Sequence, residues 1–225
     1  MSQLEILDDI LLSDNVVTKF YDKYRNDVAF KSWIDAEIPY VKQCEEQQQN
    51  NPWHIYNVLE HILHSVESMN KQTKHLNYSD RRILAYTMFF HDMGKPEAHI
   101  ERIKDGKLID SFFNHNINSE RIAGEILPKL KFSEEEINVI KKLVYKHDIF
   151  MFIKLQKTDN PHWRVLDDSL INSEIEDLNS VGDGEKLLRF LILVGRSDNF
   201  AQNEKMTAES LKMLEHFEKM LMKIK

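Results

Sequence analysis

Two strongly apolar stretches of the chain each run into a carboxylate that could bind a metal ion. Residues 84–90 are Leu, Ala, Tyr, Thr, Met, Phe and Phe, and His91 and Asp92 follow at once. Residues 187–194 are almost as apolar, and Asp198 comes four residues after them. Helices that are apolar nearly all round are buried, and an unpaired carboxylate in the interior is costly. Both aspartates therefore need a cation, and a metal ion would serve both.

The His-Asp pair is informative only through its surroundings. The dipeptide occurs at His91-Asp92 and again at His147-Asp148, which is close to chance for a chain with ten histidines. Only the first pair ends a predicted buried helix and continues as Met-Gly-Lys-Pro. The signal therefore lies with the first pair.

Further histidines fall on a helix predicted over residues 53–70. His54 and His61 are seven residues apart, so they lie about 20° apart around that helix. His64, three residues further on, lies on the same flank. Two interpretations are open. These histidines are solvated or sit at the edge of the core, or one faces a metal and another lines the pocket beside it.

The elements that must position these residues are predicted to be helices. Glycine and proline number only six and five, and folds rich in β-turns depend on such residues. This scarcity favours an all-α bundle. The one predicted β element is a short hairpin near 102–113, where Asp105-Gly106 is typical of a type I′ turn. The predicted helices are two or three within 3–50, then 53–70, 79–92, 117–130, 133–147, 184–200 and 207–224.

Capping residues and loops divide these helices. Ser79 is the predicted N-cap of the 79–92 helix, and Ser133 with Glu136 forms a capping box. Polar segments at 45–52 and 156–165 are predicted loops. We expect residues 1–50 to form N-terminal helices packed on the bundle. Residues 51–225 are then a metal-binding helical domain, and the two parts make one compact unit.

Composition narrows the classes of function. The formal net charge is −7, which argues against a general nucleic-acid surface and favours a small substrate over a polymer. Cys44 is the one cysteine, which leaves no intramolecular disulfide and no thiolate zinc cluster. No signal peptide and no apolar run long enough to span a membrane is visible. The expectation is a cytoplasmic protein with no membrane partner.

The order of these residues resembles a known family. His61, then His91-Asp92, then Asp198 is similar to the HD superfamily of metal-dependent phosphohydrolases, whose signature is His, His-Asp and Asp on an all-α bundle. The closer likeness is to the HD domain of bacterial CCA-adding tRNA nucleotidyltransferases and poly(A) polymerase relatives. The likeness covers roughly residues 54–202. It lies in the segments Val58–Leu63, His91–Glu97, Phe113–His115, Leu130–Ser133, Leu143–His147 and Ser197–Gln202.

Parts of that pattern are absent. No Gly-Ser pair followed by paired aspartates is visible, so the resemblance does not imply addition of nucleotides to tRNA. The first 50 residues contribute nothing to the likeness. Asn114 stands where the family usually has glycine before the next histidine, which could alter the exit from the hairpin.

The resemblance implies a set of metal ligands. His61, His91, Asp92 and Asp198 would give one cation two imidazoles and two carboxylates. Such mixed ligands suit Mn, Fe, Co, Ni or Zn, with Mg possible. His115 and His147 would hold a second cation with Asp92 bridging. Alternatively these two histidines bind substrate phosphate beside a single metal. One or two divalent transition-metal ions are therefore expected.

The implied activity is a phosphatase or phosphodiesterase acting on a nucleotide, a cyclic phosphodiester or another small phosphoester through a metal-bound hydroxide. Asp92 and Lys95 are the expected catalytic residues, with Lys95 contacting a phosphate oxygen unless it is an ordinary surface lysine. His54 and Arg196 are candidates for substrate binding, although Arg196 could instead pair with an acidic residue. The alternatives are an HD-type di-iron oxygenase and a non-catalytic nucleotide-sensing helical protein.

Overall fold

The structure, a computed structural model, describes residues 1–156, 159–160 and 162–223. It is mostly helical and contains one short antiparallel hairpin, which confirms the predicted all-α class with a hairpin. No helix within the described ranges is long and apolar enough to cross a membrane. In chain order the elements are α1 (Gln3–Leu11), α2 (Val16–Asn26), α3 (Val28–Glu37), α4 (Tyr40–Glu46), α5 (Val58–Gln72), α6 (Tyr78–Phe90), α7 (Lys95–Ala98), β1 (His99–Lys104), β2 (Lys107–Phe112), α8 (His115–Ile126), α9 (Glu134–Lys146), a 3₁₀ turn (Ile149–Phe152), β3 (Ile153–Lys154), β4 (Arg164–Val165), α10 (Asp168–Leu178), α11 (Gly184–Phe200) and α12 (Glu204–Leu221).

The N-terminal helices share a hydrophobic core with the rest of the chain. The sequence predicts two or three helices before residue 50, and the structure has four, α1 to α4. The Phe20 ring lies against Phe89 of α6, with centroids 6.2 Å apart. Asn70 of α5 donates to the carbonyl oxygens of Leu11 and Ser13. These contacts tie the first helices to α5 and α6, the helices that carry candidate ligands.

The two apolar helices are buried as predicted. In α6 every residue from Leu84 to Phe90 is buried, and in α11 most of the residues between Leu187 and Val194 are buried. Helix α11 packs against both α5 and α6. The candidate ligands at the ends of α6 and α11 are therefore delivered into the interior.

Gly94 allows the turn after α6 to lie directly against the start of α8. Its backbone N–H donates to Ser119 Oγ at 2.9 Å. A Cβ at this position would clash with the carbonyl oxygen of His115 and lie 2.5 Å from the backbone nitrogen of Ser119. Only glycine fits this approach, which brings the turn bearing Asp92 against the helix bearing His115.

The hairpin exits into α8 through a left-handed residue. Asp105 and Gly106 both have positive φ, 51° and 74°, as a type I′ turn requires, and this confirms the predicted turn. Asn114 has φ 59° and ψ 20°. Apart from glycine, asparagine is among the residues that adopt this conformation most readily. Asn114 therefore supplies the left-handed residue through which the hairpin passes into α8.

The predicted starts of α5 and α6 are wrong, and α8 and α12 begin two and three residues earlier than predicted, at His115 and Glu204. Helix α5 begins at Val58 and not at residue 53, because the Asn57 side chain accepts the N–H of Glu60 and caps the helix there. His54 therefore lies in the preceding loop and not on a helical stripe with His61. Helix α6 is capped by Asn77 and not by Ser79. The Ser133–Glu136 capping box of α9 is confirmed.

The region after α9 contains elements that the sequence prediction missed. Helix α10 follows Asp167, whose side chain accepts the N–H of Leu170. Strands β3 and β4 pair in parallel over two residues, so the hairpin is not the only β element. Of the predicted loop 156–165, positions 157, 158 and 161 lie outside the described residues.

We predict that Gly94→Ala destabilises the fold by about 1–3 kcal/mol, the usual cost of forcing extra atoms into a packed site. Urea denaturation would measure the change. Gly124→Ala in α8 is the matched control, because the new Cβ would meet only the flexible end of Lys141 at 3.3 Å. Alanine is also the better helix former, so the control should be neutral or more stable. Equal stability of Gly94→Ala and the unaltered protein would contradict this close approach.

Candidate metal centre

Five helices bring imidazole and carboxylate groups together at one place. Two groups have ligand atoms that lie within 4.8 Å of one another and could hold a metal ion. Asp92 belongs to both. The first group is His61, His91, Asp92 and Asp198, and the second is Asp92, His115 and His147.

The first group is compact. His61 Nε2 lies 2.9 Å from Asp198 Oδ1 and 3.1 Å from Asp92 Oδ2. His91 Nε2 lies 3.3 Å from Asp92 Oδ2 and 3.3 Å from His61 Nε2. Two imidazoles and two carboxylates thus face a common point, as the sequence predicts for a first cation.

The second group uses the other oxygen of Asp92. His115 Nε2 lies 3.0 Å from Asp92 Oδ1 and 3.0 Å from His147 Nε2. His147 Nε2 lies 3.6 Å from the same Asp92 oxygen. Because Asp92 turns one oxygen to each group, it occupies the position of a bridging carboxylate.

Backbone carbonyls fix the protonation of all four imidazoles. The Nδ1 atoms of His61, His91, His115 and His147 lie 2.6–3.2 Å from the carbonyl oxygens of Ala201, Met88, Phe112 and Val144. A carbonyl oxygen only accepts, so each Nδ1 must carry a proton. In the neutral rings the Nε2 lone pairs then point into the cluster. Metal-binding histidines are oriented in this way.

Facing lone pairs repel each other unless a proton or a metal ion lies between them. His61 and His91 oppose their Nε2 atoms at 3.3 Å, and His115 and His147 do so at 3.0 Å. Two nitrogens bound to one cation at about 2.1 Å, at tetrahedral or octahedral angles, lie about 3.0–3.4 Å apart. Both pairs have this spacing. The residues present therefore fit one or two metal ions, without selecting which metal.

Asp92 Oδ2 has charge nearby but no hydrogen bond. Its side chain is 2% exposed, and the Oδ2 atom accepts no hydrogen bond of acceptable geometry from the described residues. Lys95 Nζ lies 2.7 Å from Asp92 Oδ2 and forms an ion pair with it. A buried carboxylate oxygen left in this state is a natural ligand for a cation.

The charges of the cluster shift the pKa values of its members. Burial opposes ionisation of Asp92, but His91 and Lys95 outweigh it and hold the pKa of Asp92 well below its usual range. Burial also lowers the pKa of His61, but its contacts with the carboxylates of Asp198 and Asp92 outweigh it and raise that pKa to about 9. Burial lowers the pKa of His91 as well, but the charge of Asp92 outweighs it and raises that pKa to about 9. Both rings therefore attract a proton that a metal ion would have to displace.

Lys95 lies inside the centre and is not a surface lysine. It is 4% exposed, and its Nζ contacts Gln49 Oε1 at 2.8 Å and His54 Nε2 at 3.4 Å, besides Asp92. Burial, then the charge of Lys95, lowers the pKa of His54 to about 2. His54 is therefore neutral and lies beside His61, with ring centroids 5.0 Å apart. The loop, and not a helical repeat, places it there.

Two further candidates lie outside the ligand groups: His64, from the predicted histidine flank, and Arg196, from the predicted substrate site. His64 stacks on Tyr56 with ring centroids 4.3 Å apart and belongs to neither ligand group. Arg196 pairs with Glu218 of α12 at 2.8 Å. It is two residues from Asp198, and residues so spaced do not share a helix face. The structure therefore does not place Arg196 among the residues of the centre.

Sequence reasoning missed two contributors. Gln49 comes from a polar stretch with no recognisable pattern, and only its contact with Lys95 reveals it. Asp148 lies 3.3 Å from both His115 Nε2 and His147 Nε2. Its signal was the second His-Asp dipeptide, which chance alone could explain.

Neither a scan against models of protein families nor a search of curated proteins finds a match.

We predict that Mn²⁺ binds more tightly as pH rises from about 6.5 to 9. The raised pKa of His61 means that the cation must displace a proton until the pH reaches about 9. Isothermal titration in two buffers of different ionisation enthalpy would report both the affinity and the proton release. His61→Ala should weaken the pH-dependent component without abolishing it, because the pKa of His91 is also raised to about 9. An affinity that is constant across this range, with no proton released, would contradict the assignment.

Proposed function

We propose that this protein is a metal-dependent phosphohydrolase of the HD type, a phosphatase or phosphodiesterase. The observation that carries the proposal is Asp92, placed between two imidazole pairs with the Lys95 ammonium beside it. The resemblance of His61, His91-Asp92 and Asp198 to the HD signature supports the same assignment.

The chemistry divides between the cations and the chain. Bound divalent ions would supply charge to neutralise phosphoryl oxygens and would acidify a coordinated water, and Mn, Fe, Co, Ni and Zn all suit these ligands. The chain would hold them with His61, His91 and Asp198 on one side of Asp92, and with His115 and His147 on the other. Their Nδ1–H bonds to carbonyls keep the rings in place.

Lys95 is the candidate for binding the phosphoryl group. Its ammonium is held by Asp92, Gln49 and His54 at the edge of the first ligand group. A fixed positive charge beside a reacting phosphate stabilises the charge that develops in the transition state. His54 cannot compete for this role because its low pKa keeps it neutral. We assign His54 to positioning Lys95.

The surroundings of the ligands favour a substrate with an aromatic or apolar part. Trp53 precedes His54 and Phe113 lies two residues before His115, and both rings are exposed, at 36% and 60%. Exposed aromatic rings are suited to stacking on a nucleobase. A nucleotide or cyclic nucleotide is therefore the substrate class we propose.

We predict that the reconstituted protein hydrolyses phosphomonoesters or cyclic phosphates, and that Asp92→Ala abolishes this activity. The substitution removes an oxygen ligand from both groups, so both cations should be lost with the activity. A panel of nucleotides and cyclic nucleotides, assayed with Mn²⁺, Co²⁺, Ni²⁺, Mg²⁺ and Zn²⁺, would measure it.

Asp22→Ala is the matched control, because Asp22 is an exposed residue of α2 and should retain full activity. Full activity in Asp92→Ala would overturn the proposal. Oxygen uptake by the iron-loaded protein, with no phosphate released from any substrate, would favour a di-iron oxygenase instead.

We predict that Lys95→Met lowers kcat/KM about 100-fold, within the range for removing one transition-state donor. The metal content should stay the same or rise, because Lys95 is not a ligand and its positive charge opposes cation binding. Steady-state kinetics with metal analysis on the same sample would test this. Lys129→Met, at an exposed lysine, should change neither value. Unaltered kinetics in Lys95→Met would remove Lys95 from the mechanism.

A further inference from the structure

The carboxylate of Asp148 lies against the second pair of imidazoles and has no role in the sequence-based site. We propose that Asp148 is a ligand of the second cation, so that each half of the centre has two imidazoles, one terminal carboxylate and one oxygen of Asp92. This inference rests on the metal-binding part of the proposed function.

Distances place Asp148 within one coordination sphere with the histidines. Its Oδ2 lies 3.3 Å from His115 Nε2, and its Oδ1 lies 3.3 Å from His147 Nε2. Each value lies within the separation of about 3.0–3.4 Å expected between two donors on one cation, with a different oxygen of Asp148 facing each ring. The distances from His61 Nε2 and His91 Nε2 to Asp92 Oδ2, the oxygen that both rings face, fall in the same range.

Asp148 lies on the Nε2 side of the His115 and His147 rings, and this excludes a role limited to orienting those rings. A carboxylate that orients a metal-binding histidine accepts the N–H that faces away from the metal. In His115 and His147 that N–H is Nδ1, and backbone carbonyls already occupy it. Asp148 instead faces the Nε2 atoms, where the cation would bind.

Asp148 has no competing structural task in the described part of the chain. It precedes the 3₁₀ turn Ile149–Phe152, but its side chain makes no capping hydrogen bond there. The ion pairs it makes with described residues are those with His115 and His147, and no described Lys or Arg approaches it. A carboxylate held against two imidazoles without a cation of its own is available as a ligand.

The local structure at Asp148 repeats that at Asp92. His91 and His147 are the C-cap residues of α6 and α9, and both have right-handed helical backbone angles. Each ring donates Nδ1–H to the carbonyl three residues earlier. In each case the next residue is an aspartate directed at the cluster. The His-Asp unit at a helix end is thus used twice.

Exposure separates the roles of the two aspartates. The Asp92 side chain is 2% exposed and lies between the groups, whereas the Asp148 side chain is 22% exposed, close to the 16% of Asp198. Asp148 and Asp198 are therefore the outer ligands of the two halves. With two dications and three carboxylates the centre keeps one positive charge, and Lys95 adds another. That net charge suits a phosphoryl dianion.

The test is the Mn²⁺ stoichiometry of the full-length protein, measured by equilibrium dialysis after chelator treatment. We expect two ions in the unaltered protein and one in Asp148→Asn. The affinity for the second ion should fall more than about 100-fold, because loss of a residue that only orients a ligand already costs about 10–100-fold. Asp198→Asn should lose the other ion. Asp22→Asn is the control for charge and should keep both.

The outcomes distinguish this inference from the proposed function. Two ions bound with unchanged affinity by Asp148→Asn would overturn the role of Asp148 and leave the phosphohydrolase proposal standing. The same conclusion would follow if the unaltered protein bound one ion and Asp148→Asn still bound it. No ion in the unaltered protein would overturn both proposals. Circular dichroism and thermal unfolding of each metal-free variant would show that a lost ion is not the result of a lost fold.

Discussion

A buried carboxylate set between two pairs of imidazoles is the constraint on which the rest of the structure depends. Backbone carbonyls hold the Nδ1 protons of all four rings, so the Nε2 lone pairs converge on Asp92 from both sides. Such an arrangement is repulsive without positive charge at its centre. Protons and Lys95 supply that charge in the chain alone, and two divalent cations would supply it in the proposed enzyme.

The helices are arranged to meet this constraint. The candidate ligands come from the first turn of α5, the ends of α6 and α9, the start of α8 and the last turn of α11. Gly94 lets the turn after α6 touch α8, and Asn114 supplies the left-handed residue before it. The N-terminal helices stabilise α5 and α6 by packing into the same hydrophobic core. Most of the fold thus serves to hold six or seven side chains within a few ångströms of one another.

The sequence predicts the helical class and the hairpin turn, because periodicity and turn chemistry are local. Its resemblance to the HD pattern implies the six residues of the two ligand groups. Sequence reasoning fails where the outcome depends on distant contacts. Helix α5 starts where Asn57 caps it. The apolar periodicity begins before Asn57, so the sequence pattern places the start of the helix too early. Asp148 resembles a chance dipeptide until the fold places it beside His115. The ring tautomers depend on carbonyls such as that of Ala201, 140 residues from His61, and no local pattern reveals them.

The central claim is that Asp92 bridges two metal ions, and anomalous X-ray diffraction from crystals grown with Mn²⁺ tests it most directly. The account predicts two anomalous peaks about 3.5–4 Å apart, the usual separation in two-metal sites. One peak should lie among His61, His91 and Asp198, and the other beside His115. A Mn²⁺-saturated crystal with no peak in contact with Asp92 would contradict the account.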